Sequence, residues 1–204
     1  MGEAAFFSEA ARTGVTAAVV DVESHTAAEI VVVVRRSSAT YREVDLGAGA
    51  VTAFAALLLL LFLPMPFPVR AMPADVLLAF AFGAVVVGGV HPIKRALLGR
   101  KRVDEAVGTH ARAAFVAQGV SKTTGRTGVL VYLSTFERRV ELVPDVGVDA
   151  KLLLGPARAM SEAVAATDLD AFLLAMRTLG PCLGAALPRA ADDVNELPDA
   201  PVMS

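Results

Sequence analysis

Tryptophan is absent from the 204 residues, tyrosine occurs twice and cysteine once. The lone cysteine, Cys182, excludes an internal disulfide and a cysteine-based metal site. It follows Pro181 in apolar surroundings with no adjacent base to lower its pKa, the context of a buried, inert thiol. The three histidines, His25, His91 and His110, are scattered singly, so none forms a pair at zinc-ligand spacing. A Gly-rich phosphate loop and a G-x-S-x-G elbow are also missing. No charge sign dominates: 19 Lys and Arg against 21 Asp and Glu leave a net charge of −2, which gives no footprint for a nucleic-acid partner. Residues 1–12 contain Glu3 and Glu9 and lack the basic start, apolar stretch and cleavage site of a secretory signal.

Apolar sequence is what the chain has in excess. Hydrophobic residues make up 55% of it and charged residues only 20%. Two uncharged runs, 46–69 and 76–93, are separated by a short segment whose only charges are Arg70 and Asp75. A helix needs roughly 20 apolar residues to cross a bilayer, and each run meets or nearly meets that length. The alternative is a pair of buried core helices in a soluble protein. Leu57 to Leu61, Phe62 and Leu63 are apolar around the whole helical circumference, however, and leave no solvated face. The second run mixes Phe80, Phe82 and Val85 with Gly83, Gly88 and Gly89, small residues that let helices approach closely in lipid. The expectation is a transmembrane hairpin with spans at 46–63 and 76–93, turned by Pro64, Pro66 and Pro68. Arg35, Arg36 and Arg42 precede it, and Lys94, Arg95, Arg100, Lys101 and Arg102 follow it, against Arg70 alone in the connecting loop. Positive flanks stay on the cytoplasmic side, so both termini and the soluble parts are expected in the cytoplasm, with the hairpin in the cell (inner) membrane and the lipid bilayer as partner.

The flanks of the hairpin, 1–45 and 94–204, read as two parts of one α/β domain. Val15, Ala18, Val19 and Val22 stand at helical spacing. Ile30 to Val34 is a β-branched run suited to a strand buried on both faces. Val103, Val107, Ala111, Ala114 and Phe115 predict a helix over 102–118 that stops at Gly119. GVLVYLS at 128–134 and RVELV at 139–143 predict a strand hairpin turned at 135–138. Helices are expected over 148–165, interrupted near Gly155 and Pro156, and over 168–187 with Thr167 or Asp168 as N-cap. The fold class is therefore α/β, a small central sheet covered by helices and interrupted by the inserted hairpin.

Few residues carry chemistry. Asp145 and Asp149 follow the last predicted strand, and ligands gather at strand ends of open α/β sheets. With Asp192, Asp193 and Glu196 near the C-terminus they form a candidate oxygen-ligand set for Ca²⁺ or another divalent cation. The competing reading, favoured on spacing alone, is that Asp145 and Asp149 cap a turn and a helix. The loop 121–127 (SKTTGRT) is small and polar. It offers backbone amides and Arg126 as a candidate phosphate-binding element, against the commoner case of a merely solvated loop.

Four ordered segments, TAAEIVVVV at 26–34, FVAQGVSKTTGRTGVLVYL at 115–133, ERRVELVPDVGV at 137–148 and LPRAADDVNELPD at 187–199, resemble the TPM domain family, also called the thylakoid phosphatase-like domain. The last of them is similar to a membrane-associated bacterial branch. The resemblance implies a compact α/β sandwich. It also implies acid phosphatase activity credited to plant members and calcium binding at acidic residues in some members. Asp145 and Gly147 align with the family's D-x-G element, whereas a complete catalytic set has no counterpart. Many relatives are exported, and the lack of a signal peptide here departs from that pattern. The expected function is a binding or accessory module at the cytoplasmic membrane surface, serving membrane-protein assembly or maintenance with a membrane-protein partner. The alternatives are a divalent-cation-dependent phosphomonoesterase and a structural membrane component that associates through the Gly-containing second span.

Overall fold

The structure is a computed structural model that describes residues 3–63, 68–190 and 194–204. It divides into two compact units, Met1–Ser38 with Val103–Ser204, and Ala39–Arg102. The chain passes from the first unit to the second after β1 and returns within α5.

The first unit is α/β. After a short 3-10 turn, α1 (Glu9–Glu23) starts where the Ser8 hydroxyl accepts the Ala11 N–H at 3.1 Å, an N-cap that satisfies an orphan amide. Strand β1 (Ile30–Arg35) follows. Helix α5 (Arg100–Ala117) ends at Gly119, whose φ of 69° is the left-handed cap glycine adopts without strain. Strands β2 (Val129–Ser134) and β3 (Arg139–Pro144) form an antiparallel hairpin. Two short helices and a strand complete the unit after α6 (Leu154–Ala165): α7 (Leu169–Arg177), α8 (Leu179–Gly184) and β4 (Val202–Met203).

The sheet order is β3-β2-β1-β4, with β1 parallel to both neighbours. A strand paired on both edges and covered on both faces must be apolar throughout, which is why Ile30 to Val34 are all at most 4% exposed. Ile30, Val32, Val34, Val129, Val131 and Leu133 join α1, α6 and α7 in the main core. Phe6 meets Phe172 edge-on there at 5.8 Å. Val31, Val33, Leu130 and Tyr132 point to the opposite face, on the side of α5. Arg139 ties β3 to α5 through Asp104 at 3.2 Å.

Two helices differ from the expected spans. The helix expected over 168–187 is two helices meeting at Thr178, and Pro181, which cannot donate a backbone N–H, lies in the first turn of the second. Asp168 caps the first by accepting the Ala171 N–H at 2.9 Å. The strand β4 was not foreseen.

The second unit contains α2 (Arg42–Phe62), α3 (Met72–Gly89) and α4 (His91–Leu97). The apolar run 76–93 does not continue as one helix, because Pro92 starts a new one and the chain kinks at Val90. Of the predicted turn residues, Pro64 and Pro66 lie outside the described residues. Helices α2 and α3 are long and apolar enough to cross a membrane. They pack closely at Gly83, where an added Cβ would stand 2.9 Å from the Ala48 carbonyl oxygen and collide with the Thr52 hydroxyl. That hydroxyl donates to Ala79 O at 2.9 Å, a bond from α2 to α3. Gly83 therefore serves packing within the hairpin. The other faces are bare: Phe62 is 80% exposed, Val85 72% and Leu77 69%. At the end of the unit where α2 begins, Lys94 pairs with Asp45 at 2.8 Å.

Candidate functional site

Of the residues singled out by the sequence, Arg126 lies in the loop between α5 and β2, and Asp145 and Glu196 bond to that loop from elsewhere in the chain. Arg126 has a φ of 53°, a left-handed conformation costly for a side chain with a Cβ. Three contacts hold it there. Its N–H donates to Thr123 O at 3.1 Å, its carbonyl accepts from Gly147 N at 2.9 Å, and its guanidinium forks onto Asp145. Nε reaches Oδ2 at 2.7 Å and Nη2 reaches Oδ1 at 3.0 Å, the bidentate geometry of a strong charge-assisted pair. Asp145 Oδ1 also accepts the Val146 N–H at 2.8 Å. The hydrogen bonds from Arg126 hold the Asp145 carboxyl below the ordinary carboxylate range. Asp145 is screened from solvent by these immediate partners while lying close to the molecular surface, with half of Arg126 exposed above it.

Gly147 completes the arrangement. A Cβ there would stand 2.6 Å from Arg126 O and 2.9 Å from Gly125 O, so only glycine lets the two loops touch. The D-x-G element thus locks the end of β3 to the loop before β2. The other nominated acids spread apart. Asp149 caps the short 3-10 turn Ala150–Leu153, accepting the Lys151 N–H at 2.9 Å. Glu196 accepts the Thr124 N–H at 2.9 Å, two residues from Arg126. Asp192 and Asp193 lie outside the described residues. Among the described residues no three His, Cys, Asp or Glu side chains converge into a set that could hold a metal ion.

A cleft at the carboxyl ends of the parallel strands β1 and β2 was missed in the sequence. It encloses about 370 Å³ and is lined by Arg35, Ser37, Ser38 and Tyr132 on the strand side and by His110 and Gln118 on α5. Ala113, Ala114, Ala117 and Val33 supply its apolar surface. Its wall is braced by Glu137, a carboxylate only 3% exposed in the β2–β3 turn. Oε1 accepts Ser38 N–H at 2.8 Å and the Ser37 hydroxyl at 3.2 Å, while Oε2 accepts the Ser134 hydroxyl. Backbone bonds from Thr135 N to Arg35 O at 3.0 Å and from Phe136 N to Arg36 O at 2.9 Å zip the same two strand exits together. The brace sets Ser38 Oγ 3.1 Å from Tyr132 Oη, inside the cleft wall. Burial pushes the Tyr132 phenol up from its ordinary value.

The strand-end rule was the one signal for this cleft in the sequence, and applied to β1 instead of β3 it points to Arg35, Ser37 and Ser38. His110, an isolated histidine in the sequence, lines the cleft from α5. On α5 its Nδ1 donates to Ala106 O at 2.9 Å, because a carbonyl only accepts, which leaves Nε2 as the ring atom without a partner among the described residues.

No family model matches this sequence, and no curated protein matches it. Its fold is similar to the NMR structure of the BA42 protein from the psychrophilic bacterium Bizionia argentinensis, with a TM-score of 0.58 at 13% identity. That similarity covers 97% of this chain and 94% of the other. At such identity the likeness carries the fold alone: this chain is an α/β protein built on a four-stranded mixed sheet.

Proposed function

We propose that this chain is a membrane-anchored binding module: a TPM-like α/β domain held at the cytoplasmic surface of the cell membrane by an inserted helical hairpin. The observation that carries the reading is the bare surface of α2 and α3. In the most apolar 18-residue stretch of each helix, 6% and 11% of the residues are buried. A soluble protein hides such surface, since contiguous exposed apolar patches beyond a few hundred Å² mark an interaction with lipid or protein. Beyond its charged first turn, α2 runs uncharged from Leu46 to Phe62 and rises about 26 Å, close to the roughly 30 Å of a bilayer's hydrocarbon core. Orientation follows from the excess of Lys and Arg in the segments that flank the hairpin. The binding role is supported by a polar cleft at the carboxyl ends of parallel strands, where α/β folds collect their ligands.

The test is fractionation and topology of the full chain in bacterial cells. The protein should stay with membranes through alkaline carbonate washing and leave only with detergent. A reporter fused after Ser204 should be active only as a cytoplasmic fusion. Release by carbonate, or a reporter active only outside, would overturn the anchoring or its orientation respectively.

A further inference from the structure

The cleft between α5 and the exits of β1 and β2 holds more hydrogen-bond donors than the protein itself uses. Ser38 and Tyr132 are 5% and 2% exposed, and their hydroxyls share one hydrogen bond at 3.1 Å. Two hydroxyl protons serve one bond, so one buried O–H has no acceptor among the described residues. Such a group costs free energy unless something fills the cleft and accepts it. The Arg35 guanidinium, at the mouth, has no ion pair or hydrogen bond among the described residues, and neither has the Gln118 amide. All three offer protons, against the acceptors Gln118 Oε1 and His110 Nε2 on α5, so an occupant that brings acceptors suits the strand side of the cleft.

Charge narrows its identity. Among the described residues that line the cleft Arg35 is the one Arg or Lys, with His110 on the facing helix, and the Glu137 carboxylate stands just behind the wall, bonded to Ser37 and Ser38. One arginine beside a buried carboxylate suits a single negative charge and penalises a second. A guanidinium fork matches the two oxygens of a carboxylate. The remaining lining, Ala113, Ala114, Ala117 and Val33, is shallow and apolar, and about 370 Å³ falls at the small end of ligand pockets. We infer that this cleft binds a small monocarboxylate, its carboxylate on Arg35 and the spare Ser38–Tyr132 hydroxyl, its short aliphatic body against the alanines of α5. This rests on the binding-module reading and gives it a ligand class.

The experiment is calorimetric titration of the full-length protein in detergent with butyrate, with butyramide and inorganic phosphate as comparators. Butyrate should bind saturably at one site, and butyramide, of the same shape without the charge, at least about tenfold more weakly. Arg35→Gln should weaken butyrate about tenfold or more, and Ala117→Leu, which fills the apolar wall, should abolish it. Both positions are exposed, and circular dichroism of each variant reads folding independently. Absence of saturable butyrate binding, binding indifferent to Arg35→Gln, or phosphate bound more tightly than butyrate would each overturn the inference. Membrane retention of wild type and variants in the carbonate assay keeps failure of the ligand distinct from failure of the anchor.

Discussion

Glu23, the last residue of α1, is charged in water and buried here. Its side chain turns toward the start of β1, where Oε1 accepts the Ile30 N–H at 2.8 Å, and the residue is 7% exposed. Burial raises its carboxyl from 4.5 to about 7, and repulsion from Glu29 and Asp199 adds to the effect. The Ile30 N–H and Arg189 oppose it without cancelling it. Glu29 is itself held nearby, accepting the Leu197 N–H at 3.1 Å from the C-terminal segment. The folded protein thus keeps the Glu23 proton up to about pH 7, whereas the unfolded chain loses it near 4.5. Between those values the native state binds more protons, so stability falls as pH rises through the interval and is flat above it. At about 1.36 kcal/mol per pKa unit, ionised Glu23 costs the fold about 3 kcal/mol at pH 8.

Glu23→Gln keeps an oxygen for the Ile30 N–H and removes the ionisation. The variant should match wild type near pH 4.5 and exceed it by about 2–3 kcal/mol at pH 8, a rise of about 5–10 °C in melting temperature. Thermal unfolding followed by circular dichroism at both pH values measures the difference. Hydrogen exchange at the β1 amides locates it. A gain of equal size at both pH values would mean that the effect is packing, and no gain at pH 8 would mean that Glu23 ionises at little cost. Either result refutes the reasoning.

Three further outcomes are expected. Asp145→Asn removes the charge from the Arg126 fork and should cost about 1–2 kcal/mol, discounted because half of Arg126 faces water; the loss should vanish in acid, as pH falls through the lowered Asp145 pKa and wild type loses the same contribution. Gly83→Ala should lower the melting temperature of the hairpin helices in detergent, because even a methyl group meets Ala48 O at 2.9 Å, while Gly89→Ala, with open space around it, should not. Replacing 39–102 with a short Gly-Ser linker should yield a water-soluble first unit whose β1–β2 amides remain protected from exchange. Exchange-exposed β1 amides in that variant would show that the first unit depends on the second.

The parts of the fold legible in the sequence were those fixed by local pattern. Ile30 to Val34 announced a doubly buried strand, the alternation in 139–143 announced the antiparallel partner of β2, and Gly119 announced the end of α5. The breaks at Val90 and Thr178 were hidden because apolar periodicity continues across them while Pro92 and Pro181 interrupt the backbone. β4 is two residues long and exists only because β1 offers an unpaired edge, which no local signal conveys. The site was harder to read for the same reason. Arg126 and Asp145 were each singled out, one for anions and one for cations, and only folding brings them together as each other's partner. Ser38, Tyr132, His110 and Glu137 come from four segments that share no spacing, so their convergence is a property of the sheet rather than of any motif.

The insertion is tolerated because of how β1 and β2 are paired. Parallel strands require a long crossover to carry the chain from the end of one to the start of the next, and here α5 supplies the return. A connection that is already long can be lengthened cheaply, since each doubling of a flexible loop costs only about 0.6 kcal/mol in closure entropy. An insertion in the tight β2–β3 turn would instead pull apart the Glu137 brace. The helical hairpin therefore leaves the first unit at the exit of β1, a strand end with both a long connection and a cleft. Ser38, whose N–H is held by Glu137 and whose hydroxyl meets Tyr132, is the last residue of the first unit before the chain enters the second. The cleft and the exit of the chain from the first unit consequently share Ser38, and anything that fills the cleft meets the residue at which the chain leaves that unit.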